Sequence, residues 1–165
     1  MRTTPRSRSA AVAAVAAVAL ALTVLTGGAA AASGHTILRD GFEGNIPLTE
    51  PNPTPVIGGV NPAGAPWVLS DRSRVRVRED GRITISLRGL VLTRTGANPV
   101  ALVAASLVCD DMVVDSTDPF SLSIPKGNGH LSTRIDVPDD CDDPVVLIRN
   151  ANTPGVLGGY FAFTD

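Results

Sequence analysis

Aromatic residues are scarce in this chain of 165 residues: one Trp, one Tyr and four Phe make up 4% of it. A core must therefore come mainly from Val, Leu, Ile and Ala. Only two cysteines and two histidines are present. Two cysteines without a nearby His make a poor zinc site. The common catalytic signatures are missing: there is no G-x-S-x-G elbow, no H-E-x-x-H and no phosphate-binding glycine loop. Gly127-Asn128-Gly129 reads as a turn. The D-x-[DN]-x-[DN]-G calcium loop is also absent. Beyond residue 32 no run is long and apolar enough to span a bilayer. Charge of one sign is not in excess either, since 14 basic and 16 acidic residues leave a net −2. That balance argues against nucleic acid as a general partner.

What is present begins with the first 32 residues. Arg2, Arg6 and Arg8 form a positive start. Ala10 to Leu25 is apolar except for Thr23, and Gly27, Gly28 and Ala29 to Ala32 close the run with small residues. This is the three-part pattern of a cleaved secretory signal peptide, with cleavage expected after Ala30 or Ala32. Membrane contact is expected only through this helical leader before it is removed. No Cys adjoins the cleavage region, which disfavours a lipid anchor there. Ser7 separates Arg6 from Arg8, so a twin-arginine route is not indicated. Loss of three arginines and no acids with the leader moves the net charge from −2 to −5. The expected location is extracellular, with the cell wall as a further possibility.

The exported part, about 130 residues, is the size of one domain with a real core. Cys109 and Cys141 both lie in it, in a compartment where disulfides persist. Their pairing would close a loop of about 30 residues, which the loop-entropy view values at roughly 3–4 kcal/mol.

Residues 33–66 carry Pro47, Pro51, Pro53, Pro55, Pro62 and Pro66. Proline removes a backbone donor and fixes φ, so a continuous helix or central strand is disfavoured. This stretch reads as an extended arm on the domain or as a tether, with Ile37 and Leu38 as a short edge strand. From Trp67 the pattern changes to short alternating runs between turns. Val75 and Val77 alternate with Arg74, Arg76 and Arg78; Ile83, Ile85 and Leu87 alternate with Arg82, Thr84, Ser86 and Arg88. A two-residue loop would pair Arg78 with Ile83 and mix the faces. A three-residue loop, Glu79-Asp80-Gly81, pairs Val77 with Ile83 and Val75 with Ile85, and sets Gly81 at the left-handed position. The result is a hairpin with one apolar and one Arg-rich face.

Further strands are expected over 100–109, 112–116, 120–124, 131–137, 145–149 and 156–164. Residues 100–108 also suit a short buried helix by periodicity, but a preceding proline and flanking strands favour a strand. About eight strands with short turns predict an all-β fold, an antiparallel β-sandwich of immunoglobulin-like or similar type, over 67–165.

Three constellations carry possible chemistry. Asp139, Asp140, Asp142 and Asp143 surround Cys141, and Asp110 and Asp111 follow Cys109. A disulfide would crowd these six carboxylates at one end, either as a solvated acidic turn or as a calcium site, since calcium takes oxygen ligands. Asp40-Gly41-Phe42-Glu43 is a weaker oxygen-donor candidate. Second, the face formed by Arg74, Arg76, Arg78, Arg82 and Arg88 opposes like charges, which destabilises a sheet pair unless acids or an external anion compensate. Arginine dominates lysine throughout, so the bias is not confined to this face. Third, His130 would serve a hydrolase only as part of a spatial triad with an Asp and a Ser; the simpler role for His130, as for His35, is a solvated surface residue.

The Arg/Ala-rich leader, the arginine bias and a Val/Ala-rich strand domain with one disulfide together resemble small exported proteins of high-GC actinobacteria. Ala65-Pro66-Trp67-Val68, Gly89-Leu90 and Ala105-Ser106-Leu107-Val108-Cys109 look like a secreted family without assigned activity, over most of 65–165. The resemblance implies no catalytic residues. Exported sandwiches that carry enediyne chromophores are analogous in size and compartment only; they have two disulfides and share no motif with this chain. The expectation is a secreted, non-enzymatic β-sandwich that binds a protein, a glycan or an anionic cell-wall polymer, with no cofactor. A calcium-stabilised extracellular module and a small hydrolase are the alternatives.

Overall fold

A computed structural model describes residues 34–165, so the leader read at 1–32 lies outside the described residues. The described residues fall within one compact unit. They form β1 (Thr36–Asp40), β2 (Glu43–Gly44), β3 (Trp67–Val68), β4 (Arg74–Arg78), β5 (Arg82–Leu87), β6 (Val91–Leu92), β7 (Leu102–Cys109), β8 (Met112–Ser116), β9 (Phe120–Ser121), β10 (Gly129–Arg134), β11 (Val145–Asn150) and β12 (Tyr160–Phe163). Among the described residues there is no helix. One sheet has the order β1-β4-β5-β10, a second β2-β12-β11-β7-β8 with β9 also on β7, and β3 pairs β6 as a small ribbon. Every strand pair is antiparallel. This architecture is all-β and consistent with a β-sandwich.

The β4–β5 hairpin follows from its alternation. Val75 pairs with Ile85 and Val77 with Ile83. The Gly81 amide donates to the Arg78 carbonyl at 2.9 Å, and Gly81 has φ +80°. A side chain there would also strike the Ile135 carbonyl oxygen, 2.3 Å from an ideal Cβ. The β7–β8 connection is tighter. Cys109 pairs with Met112, and Asp110 and Asp111 both have positive φ, 50° and 58°. That is the two-residue turn whose twist matches the flanking strands.

Inner faces of both large sheets meet in one apolar core. Val75, Val77, Ile83, Ile85 and Leu87 come from the first; Val103, Ala105, Leu107, Val146, Ile148 and Phe161 come from the second. Trp67 packs against Phe161 with ring centroids 4.3 Å apart and planes tilted by 40°. Complete burial of one Leu or Ile side chain stabilises by about 1.5–3 kcal/mol, so this shared interior is what holds the sheets together. Cys109 and Cys141 are bonded, with their Cα atoms 5.1 Å apart. The bond ties the end of β7 to the loop before β11.

The 100–109 stretch is a strand, and nearly all of β7 is buried. Both of its faces are covered. Val108 on the outer side belongs to a second cluster with Val60, Leu147, Tyr160 and Phe163. Ile57 packs against this cluster, and the Tyr160 hydroxyl donates to the Pro55 carbonyl at 2.6 Å. The proline-rich stretch thus lies against the outer face of the second sheet. Its earlier part supplies β1, including Ile37 and Leu38, and β2.

Some strands are shorter than the alternation suggests. The run at 120–124 is a strand only at Phe120–Ser121; Leu122 is buried, but Ile124 is 59% exposed. Pro125 follows it and cannot donate to a ladder. Within 156–164, only Tyr160–Phe163 is strand, because Val156 closes a turn with Thr153.

Candidate functional site

The outer face of the β1-β4-β5-β10 sheet carries the most distinctive chemistry. Burial of the valines and isoleucines of β4 and β5 turns the alternate residues outward. Arg74, Arg76 and Arg82 are exposed, and Arg78 is partly so. Arg88 lies one residue beyond β5, is exposed, and is held through its backbone by Ser70 and Ser73. Two arginines join this face from other strands. Arg39 of β1 stands opposite Arg76, and Arg134 of β10 stands opposite Arg82.

Little carboxylate neutralises this array. Among the described residues the one ion pair is Arg134 to Asp80, at 3.7 Å, and Arg134 also donates to the Asp80 carbonyl. Arg76 donates through Nε and Nη2 to Thr36 Oγ1 at 3.0 and 2.8 Å. Arg74 donates through Nη1 to the Asp71 carbonyl and to the Ser73 carbonyl, the latter at 2.7 Å. These bonds orient the guanidinium groups and leave their charge in place. Beside them lies a shallow groove of about 290 Å³ lined by Arg39, Arg74, Arg76, Thr84 and Ser86.

The acidic clusters gather where the disulfide places them. The Asp110 amide reaches the Asp142 carbonyl at 3.5 Å, and Asp110, Asp111, Asp139, Asp140, Asp142 and Asp143 are all exposed. Glu79 and Asp139 line one small pocket beside Cys141. The same end of the domain therefore holds the β4–β5 turn and both halves of the disulfide. Among the described residues no group of three or more His, Cys, Asp or Glu side chains is placed to hold a metal ion. Asp40 spends one carboxylate oxygen on the Gly41 amide, at 2.6 Å. Phe42, between Asp40 and Glu43, is a core residue.

His130 lies exposed on β10 opposite Ser86. Among the described residues no side-chain hydrogen bond links it to a Ser or an Asp. His35 is exposed, and its backbone exchanges hydrogen bonds with Glu79.

Sequence alternation does not reveal two other features. An apolar groove of about 640 Å³ opens between Phe42, Ile46, Pro51, Trp67 and Val68. Asn45 at its base is buried and donates to the Ala63 and Ala65 carbonyls at 2.9 and 3.3 Å, while its Oδ1 has no partner. Arg149 is partly drawn inward. It donates to the Gly158 and Leu157 carbonyls, both at 2.9 Å, and to Ser106 Oγ at 3.4 Å. Burial lowers its pKa from the usual arginine value.

The disulfide is compatible with an extracellular protein, and among the described residues no helix is long and apolar enough to cross a membrane. Comparison with protein-family models, curated proteins and solved structures finds no match to this chain.

Proposed function

We propose that this protein is a secreted, non-enzymatic β-sandwich module that binds an anionic polymer of the cell envelope or its surroundings. The binding surface is the outer face of the β1-β4-β5-β10 sheet. One observation carries the reading: Arg39, Arg74, Arg76, Arg78, Arg82 and Arg134 share that face, and a single ion pair among the described residues accompanies them. Like charges brought opposite each other oppose sheet pairing, so an external polyanion would stabilise the face that it binds. Guanidinium groups suit this role because their planar donors grip phosphate, sulfate or carboxylate in bidentate fashion. The export leader, the disulfide and the resemblance to secreted actinobacterial proteins support placement outside the cell.

The test is retention of the processed protein on isolated cell wall and on heparin, eluted with rising salt. The wild type should be held at low salt and released as salt screens the face. The Arg74/Arg76/Arg78→Ser variant should elute much earlier. Equal retention of the two proteins would remove this reading.

A further inference from the structure

We propose that the β4 column binds a linear polyol-phosphate chain, of the kind represented by poly(glycerol phosphate), lying parallel to the strand. This rests on the reading of the arginine face as a polyanion site and names the chemistry of its ligand.

The first support is spacing. Arg74, Arg76 and Arg78 alternate with buried valines along β4, so their Cα atoms recur every two residues, about 6.7 Å in a strand. A glycerol phosphate repeat has about six backbone bonds, as many as two amino-acid residues, and spans about 7 Å when extended. One phosphodiester per repeat therefore keeps step with one arginine per two residues. Inorganic polyphosphate places its charges far closer together, and sugar rings fix the charges of sulfated glycans at intervals set by the ring.

The second support is what stands beside each arginine. Across the β4–β5 ladder, Arg74 faces Ser86 and Arg76 faces Thr84. The steps at Arg74 and Arg76 thus each offer one guanidinium and one hydroxyl, and the step at Arg78 adds a guanidinium. A glycerol phosphate repeat offers one phosphate and one free hydroxyl. The groove between Arg39, Arg74, Arg76, Thr84 and Ser86 follows this double row. Among the described residues Arg74 bonds only through Nη1; its Nε–Nη2 edge retains the paired donors that grip a phosphate.

The experiment measures binding of poly(glycerol phosphate), inorganic polyphosphate and heparin, matched for total charge, to the processed protein over a range of salt. Poly(glycerol phosphate) should bind about tenfold more tightly than the other two at 0.15 M salt, where surface charge is well screened. Three phosphate contacts should give a salt slope of about −2. Arg76→Ser should lower that slope by about 0.7, while Arg134→Ser, outside the column, should leave the preference intact. Thr84→Val should weaken poly(glycerol phosphate) and leave heparin unchanged. Far-ultraviolet circular dichroism of each variant establishes that it is folded. Equal affinity for all three polymers would overturn the proposal and leave the arginine face as a general polyanion site. Binding to none of them at 50 mM salt would overturn both.

Discussion

Arg39 and Arg76 stand directly opposite each other across β1 and β4. Two guanidinium groups in register repel, and among the described residues only Arg76 of the two is anchored, on Thr36. Arg39→Gln should therefore stabilise the protein by a few tenths of a kcal/mol at low ionic strength. Screening should erase the gain at high salt. Urea unfolding at two salt concentrations measures both; a loss of stability at low salt would contradict the repulsion.

The bond between Cys109 and Cys141 spans 32 residues. Cys109→Ser/Cys141→Ser should lose about 2–4 kcal/mol of unfolding free energy. Parallel urea curves with and without reductant should show the same drop in the wild type and none in the variant.

Gly81 is required by both its conformation and its surroundings. Its φ is +80°, and the Ile135 carbonyl occupies the place of a Cβ. Gly81→Ala should cost about 1–3 kcal/mol. Gly59→Ala, with φ +73° and nothing within 4 Å, carries the conformational penalty alone and should cost less. Thermal melts of the two variants separate the clash from the backbone term.

Tyr160 is buried and hydrogen-bonded to the Pro55 carbonyl. Burial raises its pKa above the usual phenol value of 10.0. The unfolded chain therefore ionises first. The associated stability is fully present below the unfolded pKa, near 10, and is lost as pH rises through the higher folded value. Unfolding free energy should fall above that pH in the wild type and fall less steeply in Tyr160→Phe. At neutral pH the variant should lose about 1 kcal/mol with its hydrogen bond. Phenolate absorbance during alkaline titration reports the ionisation directly.

The acidic end distinguishes the calcium alternative. Its six aspartates are all exposed. We expect equal melting midpoints in millimolar calcium and in chelator. A calcium-dependent rise would assign that end to a cation, because a ligand that binds only the native state raises its midpoint.

The β4–β5 hairpin is legible in sequence because three local signals agree: strict alternation, the loop length that keeps faces consistent, and Gly81. At the β7–β8 hairpin only the Asp110-Asp111 turn between two strand candidates is legible. Two arginines of the face are not. Arg39 lies in a proline-rich stretch and Arg134 in a separate alternating run; only the order β1-β4-β5-β10 brings them to Arg76 and Arg82. Strand order depends on pairing between distant segments, which no local pattern encodes. The helix-like periodicity of 100–108 has a related cause. β7 is covered on both faces, so the alternation that marks a half-buried strand is lost. The groove at Trp67 is equally silent in sequence, because two-residue strands such as β2 and β3 carry no periodicity.

The proline-rich stretch seated over Val108, Leu147 and Phe163 has a consequence for how the protein meets its surroundings. One broad side is roofed by the chain itself, whereas the arginine side is bare. Adsorption would then be oriented: every molecule on a negatively charged layer would lie the same way up, and a coating of them would show the outside world a less cationic exterior than the one turned inward.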